Sequence, residues 1–122
     1  MVFSHAVETV RKLIPNLDER VSRFETEPFK ADDELIAAFC EELSRLCADL
    51  QTGVNTRDGE MIRVAAHSIK GMSGTMGFPE ISVLAQEIEW SLGGDETGRC
   101  TRLCNALIDW SLGFIAENQR SL

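Results

Sequence analysis

A chain of 122 residues fits one domain, and folding at that size buries roughly two-thirds of the surface an extended chain exposes, enough for a core without disulfide or metal staples. With 43% hydrophobic residues, 26% charged residues and 3 prolines, the composition excludes a disordered or fibrous chain. A formal charge of -8, with no clustering of the 12 basic residues, argues against a nucleic-acid partner, and no apolar run approaches the roughly 18 residues of a membrane span.

The opening Met-Val-Phe-Ser-His-Ala-Val-Glu lacks a basic stretch followed by an apolar one, so a cytoplasmic location is expected. Cys40, Cys47, Cys100 and Cys104 fall within periodic helical segments rather than loops, which predicts reduced, buried thiols.

Apolar residues recur at helical spacing along almost the whole chain, so the fold class is all-α. Prolines and glycine clusters cut it into about six segments with short connections, which predicts an antiparallel four-helix bundle with additional N-terminal helices. Residues 1–16 form an extension and residues 17–122 the bundle domain. In the first segment, about residues 4–14, Phe3, Val7, Val10 and Ile14 make one stripe ahead of Pro15, and His5 is a surface residue. A short second helix, about residues 17–26, brings Val21 and Phe24 to one face.

The Asp32-Asp33-Glu34 run starts a long third helix by N-capping and favourable dipole charge; Ile36, Phe39, Leu43, Leu46 and Leu50 form its seam, and Gly53 is expected to stop it near residue 52. Asp58 caps a fourth helix that runs to about residue 76, where Gly77 supplies a left-handed turn and Pro79 opens the fifth. The fifth helix, about residues 79–92, buries Ile81, Leu84, Ala85, Ile88 and Leu92. After Gly93-Gly94, Asp95 leads into a sixth with Leu103, Leu107, Ser111 and Phe114 inward, and Trp90 and Trp110 are expected to pack across these last two helices.

The fourth segment carries the chemistry. Ile62, Ala65, Ile69, Met72 and Met76 fall within about 80° of one another on a helical wheel and must face the core, which puts His67 about 180° from their centre, toward solvent. Around His67 the exposed face carries Arg63, Val64, Lys70, Gly71 and Gly74. Glycine costs about 1 kcal/mol against alanine inside a helix, so two glycines on a solvent face suggest that something approaches the backbone closely. A neutral imidazole nitrogen is a competent nucleophile, and the nearby ammonium of Lys70 can offset charge on phosphoryl oxygens. The chain has no phosphate-binding loop, kinase signature or Asp cluster for Mg, so the phosphoryl group must come from another protein.

At these residues the sequence resembles the histidine-containing phosphotransfer (HPt) domain, whose His-x-x-Lys-Gly signature reads His67-Ser68-Ile69-Lys70-Gly71. The run from Ala65 through Phe78 is similar to the same stretch in that family, including its version at the front of chemotaxis histidine kinases, and the likeness covers about residues 17–118. The resemblance implies a phosphocarrier rather than an enzyme: His67 accepts a phosphoryl group from the phospho-aspartate of a receiver domain, in a response regulator or hybrid histidine kinase, and passes it to another receiver. It implies no cofactor of the chain's own, since the receiver brings the Mg ion and an acidic pocket. By the same carry-over Glu89 accepts a hydrogen bond from the imidazole Nδ1–H and Gln86, one turn earlier, assists, while Arg63, Val64, Gly71 and Gly74 face the partner. A monomer is expected.

Three other readings compete. The dimerisation helices of histidine kinases also expose a phospho-histidine, but they carry a Pro that this helix lacks. A helical adaptor could dock on receivers through the same face without transferring phosphate. Cys100 and Cys104, four apart on one helix face, could join Cys40 and Cys47 around zinc, although zinc-ribbon spacing is absent.

Overall fold

The computed structural model describes residues 2–23, 32–92 and 97–120, and the side chains of residues 8–23, 32–92 and 98–118. The described residues form six helices and no strand: α1 (Val2–Leu13), α2 (Leu17–Ser22), α3 (Asp33–Thr56), α4 (Gly59–Thr75), α5 (Pro79–Ser91) and α6 (Thr97–Arg120). The side chains of Phe3, His5 and Val7, the residues Phe24 and Thr26, and the 93–96 connection lie outside the described residues.

The long helices start and stop where local chemistry dictates. The Asp32 carboxylate accepts from the Leu35 N–H at 2.8 Å to cap α3, and Asp58 accepts from the Met61 N–H at 3.1 Å to cap α4. Each such cap contributes about 1 kcal/mol. At the other end of α4, Gly77 takes a φ of 82°. The Phe78 N–H then reaches back to the Ser73 carbonyl at 2.9 Å and the Gly77 N–H to the Gly74 carbonyl at 3.3 Å. These bonds satisfy the last carbonyls of α4 before Pro79 fixes the first turn of α5.

α3 does not stop at Gly53. It continues to Thr56, and Arg57 ends it in the left-handed region with φ 56°. Gly53 is buried where α3 meets α4: a Cβ there would lie 2.7 Å from Cγ1 of Ile62 and 3.3 Å from the Asp58 carbonyl oxygen. The glycine serves close helix approach, not termination.

α4 packs between α3 and α5, α6 closes the ring against both, α1 lies on α6 and α2 on α5. Leu43, Leu50, Ile69, Ile81, Leu84, Ile88, Leu103 and Leu107 are completely buried, each contributing roughly 1.5–3 kcal/mol relative to exposure. Val10 of α1, with Ile14 just after it and Leu17 of α2, belongs to the same continuous core. Phe39, Phe78, Trp110 and Phe114 stack and interlock near the α4–α5 turn, with ring centroids of Trp110 and Phe114 5.2 Å apart.

Trp90 does not join this cluster, contrary to expectation. It sits about 200° around α5 from the buried Ile88, faces solvent, and carries the Arg20 guanidinium 5.0 Å above its ring. All four cysteines are free and buried. Among the described residues no helix is long and apolar enough to cross a membrane.

Candidate functional site

The apolar stripe of α4 orients everything else. Ile62, Ala65, Ile69 and Met76 are buried and Met72 is half-buried, so the opposite face meets solvent and His67 stands at its centre with 65% of its side chain exposed. Lys70 lies one turn further on. Across the groove, the α5 stripe that buries Ile81, Leu84, Ala85 and Ile88 leaves Glu89 at its edge, leaning over α4 with a side chain only 20% exposed.

These three side chains meet at one atom. Glu89 Oε1 is 3.0 Å from Lys70 Nζ and 3.5 Å from His67 Nδ1. The oxygen is shut off from water, yet neither donor reaches it along a hydrogen-bond direction, so it is an ionic partner with an acceptor lone pair still open. Nδ1 is the imidazole nitrogen that approaches the carboxylate.

The two glycines differ. A Cβ on Gly71 would meet nothing within 4 Å, leaving bare backbone beside His67, whereas one on Gly74 would make ordinary contact with Ser82 Oγ at 3.6 Å. Ser82, which the sequence did not single out, donates its hydroxyl to the Lys70 carbonyl at 3.0 Å and ties α5 to α4 beside the site. Its signal was its position seven residues before Glu89, on the same face of α5.

Arg63 and Val64 are exposed one turn before His67. Arg63 Nε donates to Glu60 Oε2 at 3.0 Å, and this pairing holds the Glu60 carboxyl below its usual range. Gln86 is engaged elsewhere: its amide oxygen accepts from Arg20 Nη2 of α2 at 3.1 Å, and no contact of it with the imidazole is observed. Arg20 also pairs with Glu87, which Arg99 of α6 holds from the other side at 3.1 Å. This α2–α5–α6 network joins elements distant in sequence, so helical periodicity gave no sign of it.

Among the described residues no group of three or more His, Cys, Asp or Glu side chains is arranged to hold a metal ion. Cys100 and Cys104 interact with each other, and Cys100 lines a cavity of about 550 Å³ with Arg57, Ile62 and Leu92 at the opposite end of the bundle from the α4–α5 turn.

No curated protein and no solved structure matches the chain. A family model described as the Hpt domain matches residues 34–111, more than half of the chain, and that span contains His67, Lys70 and Glu89. A helical bundle presenting an outward histidine in a His-x-x-Lys-Gly sequence, matched over that length, makes this chain a member of the Hpt domain family.

Proposed function

We propose that this chain is a monomeric cytoplasmic phosphocarrier of a phosphorelay, in which His67 takes a phosphoryl group from the phospho-aspartate of one receiver domain and gives it to the aspartate of another. The observation that carries this reading is the exposed His67 ring with its Nδ1 3.5 Å from a carboxylate oxygen withheld from water.

The Nε2 lone pair attacks phosphorus in line, an N–P bond forms, the P–O bond to the donor aspartate breaks, and the aspartate leaves as a carboxylate. Nδ1 keeps its proton, so the ring becomes cationic as the bond forms, and Glu89 stabilises that charge. Lys70, now sharing Oε1 with the imidazole, is released toward the phosphoryl oxygens as the ring takes over the carboxylate. Reversal of the same steps delivers the group to the acceptor. The donor and acceptor receivers supply the Mg ion and the acidic pocket, and this chain supplies the nucleophile, its orientation and the docking face.

Incubation with a phosphorylated receiver domain and Mg should place acid-labile, base-stable phosphate on the wild-type chain and none on His67→Gln. Labelling of His67→Gln at the wild-type level would refute the assignment. Receiver binding that survives His67→Ala, together with no transfer by the wild type, would identify a docking adaptor instead.

A further inference from the structure

Among the described residues four large apolar side chains stand exposed: Leu35, Val64, Trp90 and Leu112. Two of them flank the site. Val64 is one turn before His67 on α4, and Trp90, 61% exposed, directly follows Glu89 on α5. The indole is held in place. Arg20 of α2 lies 5.0 Å over its ring, bonds Gln86 at 3.1 Å and pairs with Glu87, which Arg99 anchors in turn. Gln86, Glu87 and Trp90 belong to the same turn of α5 that carries Glu89, and the Arg20 and Glu87 side chains are mostly buried. Arg20 lies outside the span that matches the Hpt family, so half of this arrangement comes from the N-terminal helices.

We propose that Trp90, with the Arg20 guanidinium laid over it, is a specificity-determining ledge for the receiver domain. The inference rests on the phosphotransfer reading. Direct transfer requires the receiver's aspartate to reach Nε2 of His67, and a specific interface covers roughly 800 Å² of each partner, a disc of about 16 Å radius. Glu89 reaches within 3.5 Å of His67, and its chain neighbour Trp90 therefore falls inside any such footprint centred on the histidine. Arg20, Arg63 and Lys70 on this face are each paired with a carboxylate, Glu87, Glu60 and Glu89, so what the ledge offers the receiver beside the histidine is a held apolar ring rather than free positive charge. Tryptophan and arginine are also the side chains that most often dominate interface energetics.

Two phosphodonors separate docking from chemistry. Phosphoramidate is small and labels an accessible imidazole without a docking surface, whereas a phosphorylated receiver must dock. Trp90→Ala should label with phosphoramidate within twofold of wild type, while the receiver concentration giving half-maximal transfer rises about tenfold and the maximal rate holds. Arg20→Met should raise the same half-saturation value about threefold. Because Trp110 is buried, tryptophan emission should change on receiver binding to wild type and stay constant for Trp90→Phe. An unchanged half-saturation value for Trp90→Ala would overturn the ledge, as would equal loss of phosphoramidate labelling. A wild-type chain that labels with phosphoramidate but exchanges with no receiver would instead overturn the phosphotransfer reading beneath it.

Discussion

The Lys70 ammonium lies 3.0 Å from Glu89 Oε1, an ion pair that spans the α4–α5 groove while leaving 30% of the lysine side chain exposed. Partly exposed pairs of this kind contribute about 1 kcal/mol or less to stability, because water screens them and two long side chains lose freedom. The ammonium matters more for the reaction than for the fold. Lys70→Ala should therefore unfold at a denaturant midpoint close to wild type, yet transfer phosphate about 10- to 100-fold more slowly. A large loss of stability would contradict the placement of Lys70 on an outward face.

Glu89→Gln tests the other half of the relationship. The amide keeps the size of the side chain but removes the charge that favours the protonated Nδ1. Nitrogen NMR of the imidazole should show the Nδ1–H tautomer less populated in the variant, and phosphoramidate labelling of His67 should slow by about 10- to 100-fold. Unaltered tautomer populations would mean that the 3.5 Å approach has no orienting effect.

The outward placement of His67 was legible because α4 obeys one rule: a single apolar stripe fixes the opposite face, and Ile62, Ala65 and Ile69 are buried as that stripe requires. The caps at Asp32 and Asp58 and the Gly77 turn were legible for a similar reason, since each depends on chemistry within a few residues. Gly53 was misread because a glycine that ends a helix and one that admits a neighbouring helix look alike until Ile62 is seen against it. Trp90 and Gln86 depended on α2, whose Arg20 reaches across 66 residues of sequence to α5, and no periodicity encodes such a pairing.

Gly53, packed against Ile62, and Gly71, facing open space, predict mutations of opposite sign. Gly53→Ala forces a methyl to within 2.7 Å of Ile62 in the packed α3–α4 contact and should destabilise the chain by about 1–3 kcal/mol in urea unfolding. Gly71→Ala adds a methyl to open space on a helix, which should stabilise by about 0.5–1 kcal/mol. Transfer from a receiver should nevertheless fall for Gly71→Ala, because the methyl occupies backbone that the partner approaches. A Gly71→Ala protein both more stable and fully active would show that this glycine does not serve docking.

The cysteines give a prediction about pH. A hydrogen bond from Cys104 stabilises the Cys100 thiolate and brings the Cys100 thiol down to about 6, while donating that hydrogen bond, burial and, least, the neighbouring charge push Cys104 up. Burial also pushes Cys40 and Cys47 up. Cys100 borders the end cavity, so a small alkylating reagent can reach it. Iodoacetamide should modify one thiol of the native chain at pH 7, with a rate that climbs through about pH 6, and Cys100→Ser should abolish that fast phase. The linkage has a definite sign: an acid whose folded value is lowered adds stability that grows as pH rises from about 6 toward the ordinary thiol value near 9 and is absent below about 6. The stability difference between wild type and Cys100→Ser should widen over that window. A gap that stays constant, or fast labelling that persists in Cys100→Ser, would refute the assignment of the reactive thiol to Cys100.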